Sequence, residues 1–376
     1  MSIGVRTIRS SSNRAGTLLP SHSSQSRATV LTVRLIRTVA LTVLLLLGSP
    51  AGRACAQDDQ HSDLITPETD LAIQRALAFL AERQHADGSF GSGGIYRRNV
   101  AVTSLCGMAF LSSGSTAGRG PYGGHVSRSV DFILSMSKAS GYIIAADSSS
   151  HGPMYGHGFA TMYLAEVYGM VPDPKVKEAL QRAVRLIVNS QSPDGGWRYY
   201  PESKDADVSV TVCQIMALRA ARNAGLFVPK DTVDRCKNYV RTCQNPDGGF
   251  RYQLNRQPES QFPRSAAGLV ALYSAGTYEG QEVDSAISYL MRYLPQGDIF
   301  RFESHYYYGQ YYAAQAMWLT GKDRWKTWYP AVREDLLRRQ FPDGSWPDSS
   351  ICSEYGTAMA LIVLQLPNDT VPIFQR

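Results

Sequence analysis

The first acidic residue of this 376-residue chain is Asp58. Before it lie seven arginines (Arg6, Arg9, Arg14, Arg27, Arg34, Arg37 and Arg53) and neither Asp nor Glu. Long hydrophobic runs are also missing. The apolar stretch at 39–47 is about half the ~20 residues a bilayer-spanning helix needs, which argues against a permanent membrane anchor. A basic, acid-free leader, a short apolar core and the small-x-small site Ala54-Cys55-Ala56 read as a secretory signal cleaved after Ala56. The expectation is a signal peptide at 1–56, a single domain at 57–376 and an exported protein, periplasmic or extracellular. Lipidation at Cys55 is disfavoured by the bulk of Arg53.

The basic charge belongs to the leader. Taking its seven arginines from the formal +6 leaves −1, so no nucleic-acid partner is expected. Five cysteines remain (Cys106, Cys213, Cys236, Cys243 and Cys352), an odd number with no C-x-x-C spacing, which excludes a disulfide framework and a zinc ribbon. There is no G-x-S-x-G, no H-E-x-x-H and no phosphate-loop consensus. The Gly-rich stretch "SSGSTAGRGPYGGH" lacks the phosphate-loop lysine and reads as a flexible connection. No cofactor and no metal are expected.

What the chain has is a repeated phrase. "QHADGSF", "QSPDGGW", "QNPDGGF" and "QFPDGSW" place Gln84, Gln191, Gln244 and Gln340 at intervals of 107, 53 and 96 residues. The outer intervals are nearly twice the middle one, and degenerate copies, "SKASGYI" and "YLPQGDIF", fill the gaps. Six units of about fifty residues result, a repeat architecture. Ahead of the motif runs an amphipathic helix, such as "PKVKEALQRAVRLIVNSQ" or "PAVREDLLRRQ"; after it comes a helix apolar nearly all round, such as "VAVTSLCGMAFLSSG" or "YGTAMALIVLQ". Gly114, Gly169, Gly225, Gly276 and Gly321 stand at the expected stops of those apolar helices.

An open stack would leave its terminal apolar helices wet without a polar cap, and none is written here. The expected fold is therefore all-α, an (α/α)6 toroid of six helical hairpins. Within it the motif is a structural joint: Asp87, Asp194, Asp247 and Asp343 open a turn with the following glycine, and Phe90, Trp197, Phe250 and Trp346 enter the seam between units. The four glutamines are placed to bond backbone groups left over at the helix end.

Repeats of Q-x-x-D-G-[GS]-[FW] leading into apolar helices resemble those of the prenyltransferase and squalene-cyclase superfamily, over the whole chain after the leader. The resemblance implies an α/α toroid and, for particular members, particular chemistry. Protein prenyltransferases hold zinc through an Asp-x-Cys and a later His. Here the later inner helices begin "QFPRSAAG", "YYYGQYYA" and "SEYGTAMA", without Asp-x-Cys, and His305 lies about four residues early. Squalene-type cyclases use Asp-x-Asp-Asp-Thr-Ala. "DADVSV" keeps Asp205 and Asp207 but has Val208 and Ser209 where that motif has its next acid and Thr. The Cys-Gly-Glu-Gln of complement-like thioester domains does not occur.

Chemistry on this fold belongs at the inner-helix starts. Aligned on Thr103, Thr211 and Thr357, the residues Asn99, Asp207 and Ser353 fall at helix-cap positions. Asp207 is either such a cap or, with Asp205, an acid or cation ligand at the cavity mouth. His151, Tyr155 and His157 cluster at the second inner helix, and His157 is a further acid–base candidate. His305, Tyr308, Tyr311 and Tyr312 cluster at the fifth, either as core or as a wall stacking on a polyene or a sugar. Glu166, inside an apolar helix, needs a partner or a cavity. Because each family consensus is incomplete, the sequence favours a binding protein for a lipid-like (isoprenoid) ligand or a partner. An enzyme on the same fold, terpenoid-type or acting on a polysaccharide as lyase or hydrolase, is the alternative.

Overall fold

The computed structural model describes residues 64–145, 152–297, 299–300 and 304–375; the leader at 1–56 and His151 lie outside them. Among the described residues twelve α-helices follow one another in hairpins. The outer members are α1 (Pro67–Arg83), α3 (Gly123–Ser135), α5 (Pro174–Asn189), α7 (Lys230–Thr242), α9 (Gln281–Met291) and α11 (Lys322–Arg339). The inner members are α2 (Val100–Ser112), α4 (Pro153–Met170), α6 (Val208–Asn223), α8 (Phe262–Ser274), α10 (Tyr306–Thr320) and α12 (Ser353–Gln365). Each inner helix packs on the next, and α12 packs back on α2, so the ring closes as an (α/α)6 toroid. None of the described helices is long and apolar enough to cross a membrane.

The repeated phrase makes the joints. Gln84 Nε2 donates to Gly88 O of its own turn and to His125 O on the next outer helix, both at 3.0 Å. Gln191 does the same with Gly195 O and Thr232 O, and Gln244 with Gly248 O and Glu282 O. Gln340 bonds Gly344 O and Ala72 O, which ties the last unit to the first. Asp87, Asp247 and Asp343 each accept the backbone N–H two residues on, closing the turn. The turn glycine must be glycine for two reasons. Its φ lies between 87° and 98° at Gly88, Gly195, Gly248 and Gly344, and an added Cβ would stand 2.1–2.7 Å from a carbonyl oxygen of the next outer helix. Gly141, in the degenerate second copy, repeats this against Arg182; at Gly297, in the fifth, an added Cβ would meet nothing.

The motif aromatics are fully buried, and their backbone N–H groups fix the inner helix. Phe90, Trp197 and Trp346 donate to Thr103, Thr211 and Thr357 Oγ1, and Phe250 donates to Ser265 Oγ. Both indole N–H groups return to carbonyls of their own outer helices, Ile187 and Leu336. Three expectations change at element ends. Gly169 lies within α4, whereas Gly114, Gly225, Gly276 and Gly321 take positive φ at inner-helix ends. The Gly-rich connection is shorter than it reads, because Gly123 already begins α3. Finally, α11 starts eight residues before Pro330, which sits inside it.

Replacing a joint glycine should cost more than strain alone. Gly297→Ala is expected to lose about 1–2 kcal/mol from its positive φ. Gly248→Ala must also push apart two units and should lose more, measured as the larger fall in Tm. Equal losses would refute the role assigned to the joint.

Candidate functional site

The starts of all six inner helices surround a cavity of about 510 Å³. Tyrosines dominate its wall: Tyr155 (α4), Tyr308 (α10) and Tyr355 (α12) from the helices, with Tyr96, Tyr199 and Tyr252 from the loops leading into α2, α6 and α8. Apolar surface comes from Ala101, Val102, Phe159, Pro263 and Ile351. Burial pushes the hydroxyls of Tyr155, Tyr308 and Tyr355 well above the usual tyrosine range, so they stay neutral. Arg264 is the only lining Arg or Lys among the described residues, and no Asp or Glu lines the cavity among them. His305 lines it too, held at a left-handed φ of 64° at the head of α10.

Asp207 caps α6, as its cap reading predicts. Its Oδ1 accepts the Val210 N–H at 2.8 Å, and its Oδ2 accepts Arg198 Nη1 at 3.0 Å and the Tyr252 hydroxyl at 3.4 Å. Burial pushes its pKa up to about 6 against the opposing pull of the Val210 N–H and Arg198. Asp205 shares the same guanidinium, with Arg198 Nε at 3.3 Å, and accepts Gln253 Nε2 at 3.0 Å. The structure therefore gathers both acids on Arg198 but puts neither in the cavity wall. Between Asp207 and the cavity stand Tyr252 and Tyr199, whose hydroxyls are 2.6 Å apart. Asn99 caps α2 as expected, whereas α12 starts at Ser353 itself, with Cys352 before it and no side-chain cap.

The remaining candidates separate. Tyr155, Tyr308 and His305 line the cavity. His157 is a core residue: its Nδ1 accepts the Ile143 N–H at 3.2 Å and its Nε2 donates to Ala183 O at 3.3 Å. Burial drops its pKa to about 4, leaving a neutral ring with both nitrogens engaged. Tyr312 packs edge-on to Tyr308 and Tyr311 edge-on to Tyr312; both are fully buried, Tyr312 against Cys213 Sγ. All five described cysteines are buried and free. Sequence reasoning missed Arg198, Tyr199 and Tyr252. The signal was available: Tyr199 and Tyr252 each stand two residues after a motif aromatic, Trp197 and Phe250. No cluster of three His, Cys, Asp or Glu able to hold a metal occurs among the described residues.

Glu166 belongs to the other end of the ring. There residues 366–375 fold across the inner-helix ends, with Phe374 edge-on to Tyr311 and Thr370 donating to Ser112 O. Glu166 Oε2 accepts the Ile373 N–H at 3.3 Å, and Arg219 donates to Gln375 O. Burial pushes Glu166 up to about 8, opposed by the Ile373 N–H and Arg219.

Residues 125–297 match the family model described as prenyltransferase alpha-alpha toroid domain. A stretch of 106 residues is 29% identical to drimenyl diphosphate synthase of Streptantibioticus cattleyicolor, covering 28% of this chain and 19% of that enzyme. The chain thus spans less than a fifth of that curated relative's length. Among solved structures, a type II terpene cyclase, MstE from Scytonema, superposes with a TM-score of 0.58 at 16% identity, over 81% of this chain and 98% of that one. An α-1,6-mannanase of Salegentibacter superposes with a TM-score of 0.57 at 9% identity, over 79% and 98%. At such identities the structures share the toroid fold alone.

Two outcomes test the electrostatics. Asp207→Asn retains an acceptor for the Val210 N–H, so Asp207→Ala should lose about 1 kcal/mol more stability than Asp207→Asn. Equal losses in denaturant titrations would rule out capping. Glu166 binds its proton more tightly folded than unfolded, between about 4.5 and about 8. Its contribution is full below the lower value and is lost as pH rises through the upper one. The Tm of the native chain should fall by several degrees over that range, and Glu166→Gln should flatten the fall. An unchanged slope would place the titration elsewhere.

Proposed function

We propose that this member of the prenyltransferase and squalene-cyclase toroid superfamily is a binding protein whose aromatic cavity takes up a small isoprenoid-like molecule. The observation that carries this reading is the wall itself. Six tyrosines and five apolar residues enclose a volume within the 300–1,000 Å³ range common for small-molecule sites, with the opposite end of the ring covered by residues 366–375. Ring faces suit the branched, unsaturated surface of a polyene, and burial keeps the hydroxyls of Tyr155, Tyr308 and Tyr355 neutral. One structural neighbour, MstE of Scytonema, binds geranylgeranyl dihydroxybenzoate, a molecule of this chemical type. Export to the periplasm or the cell exterior is part of the same proposal and is supported by the basic leader and its small-x-small site.

The polysaccharide alternative has less support. Glycoside hydrolysis uses two carboxyl groups flanking the sugar, and none lines the cavity among the described residues. A divergent terpenoid activity keeps one specific observation in its favour: the Asp207 carboxyl, with a pKa near 6, stands behind Tyr252 and Tyr199. A binding role asks nothing of that acid, and an enzyme would have to pass its proton through Tyr252.

Binding is testable on the purified chain by displacement of an apolar fluorophore. Farnesol should displace it at micromolar concentration, whereas α-1,6-mannotetraose should not. Phe159→Trp, which fills the chamber, should weaken farnesol at least tenfold. Displacement by the glycan without displacement by farnesol would overturn the reading.

A further inference from the structure

We infer that the cavity takes a carboxylate-headed apolar molecule, with Arg264 as the residue that recognises the head; this rests on the proposed reading of the cavity as a small-molecule site. An apolar chamber is a costly place for a guanidinium unless something neutral or negative completes its hydrogen bonds. Arg264 is only partly completed. Its Nη2 is held by the backbone oxygen of Glu259 at 2.9 Å and by the Glu259 carboxylate at 3.3 Å, while its buried Nε has no partner. Glu259 is itself exposed, at 69% of its side chain, so the ion pair it offers faces water and is easily exchanged.

Among the described residues nothing else in the wall supplies the missing negative charge. Those lining residues include no carboxylate, and the polar ones at the starts of α8 and α10 are Gln261, Ser304 and His305. The starts of α8 and α10, which carry Arg264 and His305, have no side-chain cap, unlike those of α2 and α6. Their partial positive charge adds to that of the guanidinium. One guanidinium balances one negative charge. A carboxylate matches it in charge and in its two-oxygen geometry, whereas a diphosphate would bring charge that this wall leaves uncompensated. The ligand is then oriented: the head at Arg264, and the hydrocarbon against Phe159, Val102 and the tyrosine rings.

The experiment compares farnesol, farnesoic acid and farnesyl monophosphate on the full chain by fluorophore displacement. The native chain should prefer the acid to the alcohol by roughly tenfold or more, as a charge-assisted hydrogen bond supplies. Arg264→Met should bring the acid-to-alcohol ratio to about one. Glu259→Gln, an exposed change that leaves the wall intact, should tighten the acid several-fold by freeing the guanidinium. Equal affinity for acid and alcohol in the native chain, or a ratio unmoved by Arg264→Met, overturns the inference while leaving the apolar site standing. Tighter binding of the monophosphate than of the acid assigns the head to a phosphate and overturns the carboxylate. If none of the three displaces the fluorophore, the underlying reading of the cavity fails as well.

Discussion

The structure depends on the contact between a turn glycine of one unit and a backbone carbonyl of the next. With an added Cβ at 2.1–2.7 Å from that oxygen, no other residue permits the units to approach this closely. The glutamine then bonds two carbonyls at once, one in each unit, so the spacing set by the glycine is also held by hydrogen bonds. Because Gly344 and Gln340 make the same contacts with α1, the constraint that stacks the units also closes them into a ring. Closure solves the burial problem of the apolar inner helices: each has two inner neighbours and an outer layer, and none is left at an end.

The cavity follows from this closure. Parallel inner helices bring their starts to one rim, and the residues just after each motif aromatic are carried there with them. Trp197 is anchored by its indole to Ile187 O and by its backbone to Thr211, which fixes the chain direction for the next two residues. Arg198 and Tyr199 are those residues, and both belong to the polar cluster behind the wall or to the wall itself. The joint is thus the frame on which the site is hung, although none of its own side chains lines the cavity.

This explains what was legible in the sequence. The joint is written in full in four units, and its demands on residue type are severe, so period, helix alternation and closure could be read from it. Site residues carry no such signature. Tyr308, Tyr311 and Tyr312 share a helical face, yet only Tyr308 reaches the cavity, because Tyr311 meets Phe159 and Phe374 and Tyr312 meets Cys213. His157 looked chemical by type, but both ring nitrogens serve backbone groups of neighbouring segments, a use that only tertiary structure reveals. Gly169 illustrates the converse: the glycine stop rule holds where the chain must turn left-handed, and at this position the helix continues to Met170.

Asp207 shows how a residue whose type suggests chemistry can serve the fold. As a cap it must sit against the Val210 N–H, and that placement removes it from water and from the cavity wall. Burial raises the carboxyl's pKa, and the Val210 N–H, Arg198, the Ser209 N–H and Tyr252 pull against it, which leaves it at about 6. The same guanidinium packs over the rings of Tyr199 and Tyr252, so the cap, the charge pair and two wall tyrosines form one unit. A departure from a cyclase acid motif at Val208 therefore leaves the first two acids in place but in structural employment. Through Arg198 the pair orders the aromatic wall of the cavity.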